Sequence, residues 1–178
     1  MTMTTLTRGS HGGLRVSPRW PARYVHVDAD ALKALQHIQT QLPEELTLIL
    51  TRGYEARATH LGFARTQFRK FGIGVFRRLY PNRQHEITDI FGSNGHDVDG
   101  THVDISFCLN GRRIRMLPLG VFTPPSWQQR RVERHASSLN CILTLLKRYG
   151  FQIHRNATER LQIHCDFRVN QRFRDTIL

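Results

Sequence analysis

Histidine and aspartate are the side chains here whose spacing can do chemistry. The stretch Ser93-Asn94-Gly95-His96-Asp97-Val98-Asp99-Gly100-Thr101-His102-Val103-Asp104 crowds imidazoles and carboxylates together. A catalytic zinc takes three protein ligands of His or Asp/Glu type and keeps one position open. A loop histidine followed by a strand aspartate, with Gly100 between them to turn the chain, delivers two such ligands, His96 and Asp104. His164, far downstream, offers the third. His102 shares a strand face with Asp104 and is the alternative to His96, or an addition to it. His96 is preferred, because two adjacent ligands on one strand face leave a narrow bite angle. The other histidines singled out, His60, His85, His135 and His154, are read as surface residues. Asp97 and Asp99 are read as solvated, with Asp99 placed to accept an outer hydrogen bond from a ligand histidine.

These residues need elements to hold them. Thr101 to Leu109 alternates: Val103, Ile105 and Phe107 share one face, and His102, Asp104 and Ser106 the other. Asn110-Gly111 predicts a hairpin turn, with Arg112 to Leu117 as the returning strand. The last element alternates as well, Leu161, Ile163, Cys165 and Phe167 against Arg160, Gln162, His164, Asp166 and Arg168. Upstream, Asp28 is a helix N-cap followed by Leu32, Leu35, Ile38 and Leu42, with Pro43 ending the helix. Leu46 to Leu50 reads as a buried strand. The spacing predicts a helix over 57–71, with Leu61, Phe68 and Phe71 inward, then a loop-rich stretch over 77–90. After Pro124-Pro125, one long helix runs from Ser126 to Tyr149 and closes at Gly150. The expected fold is a single α+β domain. Its largely antiparallel sheet carries helices on one face and the metal site on the other.

The chain has 178 residues, 39% of them hydrophobic, enough for one domain with a core. Residues 1–22, rich in Thr, Gly, Ser, Pro and Arg, read as a disordered lead-in, leaving 23–178 as the domain. Three scattered cysteines without a Cys-x-x-Cys pair argue against a disulfide framework and for a reducing compartment. No signal peptide or membrane-spanning run is expected, so synthesis is placed in the cytoplasm, with any work at a cell wall depending on phage or secretion-system delivery. The net charge of +12 would draw the protein to polyanions. It is spread along the chain, without aromatic interleaving or a known motif, so nucleic acid is not the favoured partner.

The sequence resembles the zinc D-alanyl-D-alanine peptidases, which include VanX-type dipeptidases, related carboxypeptidases and phage endolysins. That family carries Ser-x-His-x-x-Gly-x-Ala-x-Asp, and later a strand with Glu-x-x-His. Gly100-Thr101-His102-Val103-Asp104 matches the end of the first motif, Gly150-Phe151 resembles the family's Gly-Phe before the last ligand strand, and Gly53-Tyr54 its early Tyr turn. The order of elements agrees from about Leu46 to Arg168. The resemblance implies Zn2+ as cofactor and hydrolysis of a short peptide, D-Ala-D-Ala or a peptidoglycan stem peptide.

Several positions depart from the pattern. His96 lies one residue further from Gly100 than expected, and His102 stands where the family has Ala. The family's Glu, which takes a proton from the attacking water and returns it to the leaving amine, is Leu161 here. Glu159 is the nearest Glu and is expected as the base if a bulge turns it inward; Asp166, on the correct face, is its rival. The family's Arg after Tyr is Glu55, leaving Arg52 or Arg57 to hold an oxyanion or a substrate carboxylate. These losses also fit a second reading, a metal-binding but catalytically degenerate binding module on the same fold.

Overall fold

The computed structural model describes residues 2–54, 60–87, 101–116, 125–154 and 161–168. Nine strands and four α-helices are seen there, arranged as a single-domain α+β fold. The strands are β1 (Met3–Thr7), β2 (Gly9–His11), β3 (Leu14–Val16), β4 (Tyr24–Asp28), β5 (Leu46–Arg52), β6 (His102–Leu109), β7 (Arg112–Ile114), β8 (Phe151–Ile153) and β9 (Ile163–Phe167). The helices are α1 (Ala29–Gln41), α2 (His60–Leu79), α3 (Pro125–Arg134) and α4 (Ala136–Arg148). β1 and β4 form a two-stranded ribbon; the main sheet runs β2-β3-β5-β6-β9-β8, with β7 also on β6. Its pairs are antiparallel except β3 with β5.

β6 is the organising strand. β5 lies along one edge, while the other is divided between β9, opposite residues 102–105, and β7, opposite 107–109. The expected alternation holds. Val103, Ile105 and Phe107 are fully buried in the core, with Leu46, Leu48 and Leu50 of β5 and Ile163, Cys165 and Phe167 of β9. Leu35 and Ile38 of α1 and Leu139, Ile142 and Leu146 of α4 close that core on one face of the sheet. The hydrophobic effect therefore fixes which face of β6 and β9 is left for polar groups.

Local signals act as the sequence suggests at several points. The Asp28 carboxylate accepts from the backbone N–H of Asp30 and Ala31, capping α1. Asn110 and Gly111 take φ of 51° and 74°, the conformation a two-residue hairpin turn requires. Gly150 ends the α4 region at φ 83°, and a Cβ there would stand 2.7 Å from the Arg168 carbonyl oxygen. Only glycine lets β8 begin so close to the end of β9.

Other expectations are corrected. Residues 3–16 are not a disordered lead-in but form β1, β2 and β3. Leu6, Leu14 and Val16 are buried there, and β1 and β3 pair with β4 and β5, partners distant in sequence. The second helix runs to Leu79, followed by a 3-10 turn over Pro81–Glu86. Phe68 and Phe71, expected inward, are 62% and 72% exposed, whereas Phe76 is fully buried. At about 100° per residue, Phe76 lies roughly 80° and 140° round the helix from them, so one narrow stripe cannot bury all three. The long helix over 126–149 is two helices broken at His135 (φ −111°, ψ 15°). The strongly polar α3 shares no long apolar stripe with α4, so the two need not keep one axis. The returning strand stops at Ile114.

Candidate metal centre

The polar face of β6 and β9 brings four of the singled-out side chains together. The register places His102 opposite Asp166 and Asp104 opposite His164, so all four project from one face. His164 Nδ1 and Asp104 Oδ1 are 2.7 Å apart, and both residues are buried. His102 Nε2 lies 3.3 Å from the same Asp104 oxygen, and His102 Nδ1 is 2.7 Å from Asp166 Oδ1. The other Asp166 oxygen is 2.8 Å from His154 Nε2. Imidazoles and carboxylates thus alternate in one run: His154, Asp166, His102, Asp104, His164. The rings of His102 and His164 stack with centroids 6.5 Å apart.

Electrostatics follow from this packing. Burial alone would raise the Asp104 carboxyl, but hydrogen bonds from His102 and His164, then the charges of His164 and Arg52, hold it well below the usual carboxylate range. Burial would lower His102, but its bonds to Asp104 and Asp166 reverse that and keep its pKa above the ordinary histidine value. Cys165, in the core beneath, is pushed well up by burial and then by the neighbouring Asp104 and Asp166, so it is a packing thiol and not a nucleophile.

One atom stands out. Asp104 Oδ2 is buried and has no hydrogen-bond partner among the described residues. A buried carboxylate oxygen left this way costs about 1–3 kcal/mol or more. A cation would satisfy it. His102, Asp104 and His164 each offer a ligand atom, all within 4.8 Å of one another; so do His102, His154 and Asp166. The N2O set suits zinc. Asp166 then stands to His102 as an orienting carboxylate does to a metal-bound imidazole.

Asp104 and His164 are therefore brought together as expected. His96 and Glu159 lie outside the described residues, as do Asp97, Asp99, Glu55 and Arg57. Arg52 does reach the site region, through an irregularity. β5 slips register between Leu50 and Arg52, which sets Arg52 opposite Asp104 where regular pairing would set Thr51. Thr51 stays buried and donates its hydroxyl to the Asp104 carbonyl at 2.9 Å. Leu161, at the place of the expected Glu, is buried in the apolar core. His154, expected at the surface and not as a ligand, is 39% exposed at its side chain and also joins the run. Its signal was the alternation Phe151, Gln152, Ile153, His154, which puts it on the polar side, but only the pairing of β8 with β9 shows what it faces.

No helix among the described residues is long and apolar enough to cross a membrane. No protein-family model, curated protein or solved structure matches this chain.

Proposed function

We propose that the chain is a zinc-dependent hydrolase of short peptides, of the D-alanyl-D-alanine peptidase kind, with His102, Asp104 and His164 holding the metal. The observation that carries this reading is the buried Asp104 carboxylate, with one oxygen taken by two imidazoles and the other without a partner among the described residues. When bound, zinc supplies Lewis-acid polarisation and lowers the pKa of water. The protein's own groups do the rest. Asp166 accepts from His102 Nδ1 and so aims Nε2 at the centre. His154, hydrogen-bonded to Asp166 and 39% exposed at its side chain, is placed to hand a proton between solvent and that carboxylate. Arg52 adds a positive charge opposite Asp104, suited to a substrate carboxylate or a developing oxyanion.

The test is zinc content after purification, followed by turnover of D-Ala-D-Ala and muropeptides with His164→Ala as control. Stoichiometric zinc lost in the variant, with turnover, supports the reading; intact protein that takes up no zinc overturns it. One observation favours the alternative of a binding module: Leu161 places apolar core where a catalytic carboxylate is expected. Zinc retained without turnover across the peptide panel would select it.

A further inference from the structure

The polar face of the sheet continues beyond the histidines and aspartates. Ser106 and Cys108 follow Asp104 on β6 at about 7 and 13 Å along the strand. Two arginines reach this stretch from opposite sides. Arg15 stands on β3 opposite Ile49, and its Nη1 donates to Cys108 Sγ at 3.7 Å. Arg113 stands on β7 opposite Cys108, and its Nη2 donates to Ser106 Oγ at 3.1 Å. Arg113 Nε is buried and donates to nothing among the described residues. Burial, then the charge of Arg115 and more weakly those of Arg15 and Arg19, hold the Arg113 guanidinium below its usual pKa. Among the described residues no carboxylate forms an ion pair with Arg15, Arg19, Arg113 or Arg115.

Like charges gathered without a counter-charge repel one another, and a half-buried donor without an acceptor is costly. An anion relieves both. Guanidinium forks match carboxylate and phosphate oxygens in pairs, and a hydroxyl such as Ser106 adds a further donor. We propose that Arg15 and Arg113, with Arg19 and Arg115 beside them, form an oxyanion-binding site over Ser106 that takes a phosphoryl or carboxylate group. The site uses none of the proposed metal ligands and stands without the metal reading. Where both hold, the ligand spanning them carries an anionic group about 7–13 Å from the centre.

The test is titration of the zinc-free full chain at fixed ionic strength, with inorganic phosphate in one arm and acetate or malonate in the other, against chloride. Saturable binding of one oxyanion is expected, weakened about tenfold or more by Arg113→Lys, which keeps the charge and loses the fork. Arg15→Ala, at an exposed position, should weaken it as well and does not endanger folding. The tighter arm names the group. Asp104→Asn should leave this binding intact while losing zinc, which separates the two sites. Binding no stronger than chloride in both arms, or unchanged in both arginine variants, overturns the proposal.

Discussion

Asp104→Asn keeps the shape of a buried side chain and removes its charge. In the wild type that carboxylate takes His164 Nδ1 at 2.7 Å and His102 Nε2 at 3.3 Å, at a residue 1% exposed. Bonds to a charged acceptor contribute about 1.5–3 kcal/mol each, against about 1 for a neutral pair, so two such bonds lose about 1–4 kcal/mol. Asparagine avoids the desolvation of a charge, which offsets part of this and leaves about 2 kcal/mol. For a chain of this size that is about 4–8 °C in Tm. The pH dependence is the sharper signature. The Asp104 pKa is depressed, so its contribution is present above the unfolded value of about 3.9 and is lost as pH falls through the folded one. The His102 pKa is raised, so its contribution is present below about 6.5 and is lost as pH rises through the folded value. Wild type minus variant should therefore be largest between about pH 4 and 6.5 and shrink on both sides. Urea unfolding of zinc-free protein from pH 3 to 9 measures it. A flat difference, or a variant more stable at pH 5–6, would refute the reasoning.

Asp166→Asn should weaken zinc binding about 10–100-fold by calorimetric titration, because it removes the partner that orients His102. His154→Ala, at the more exposed end of the run, should leave urea stability within about 0.5 kcal/mol, and an unchanged zinc affinity there would assign the metal to the His102, Asp104 and His164 group. Gly150→Ala should cost more than about 1 kcal/mol in urea unfolding, since its φ of 83° and the Arg168 carbonyl at 2.7 Å both oppose a side chain. Phe107→Ala, fully buried on β6, should cost about 3–5 kcal/mol in the same assay.

Much of the site's scaffold was legible because β6 and β9 obey a strict period of two. That period alone put Asp104 and His164 on the polar side, and Asn110-Gly111 marked where β6 turns. What could not be read was pairing. Nothing local says that β9 lies beside β6 in the register that joins Asp104 to His164, or that β8 brings His154 to Asp166. The first strands were missed for a similar reason. Leu6, Leu14 and Val16 are sparse among Thr, Gly and Arg, and their burial depends on β4 and β5. In α2 the apolar residues are spread round the helix, so periodicity did not single out Phe76. Arg52 was named as a site residue without the means to place it, since regular alternation would have turned it towards the core with Leu50.

The irregularity at Thr51 has a consequence for how this strand can change length. Losing Thr51 would leave a straight ladder with Arg52 still opposite Asp104, at the expense of the hydroxyl bond to the Asp104 carbonyl. Gaining one residue at the same point would let Thr51 pair regularly opposite Asp104 and carry the guanidinium two places further along the same polar face, away from that carboxylate. Deletion and insertion are therefore unequal events here. Related chains that keep a working cation beside this carboxylate should show β5 the same length or one residue shorter, and seldom one longer.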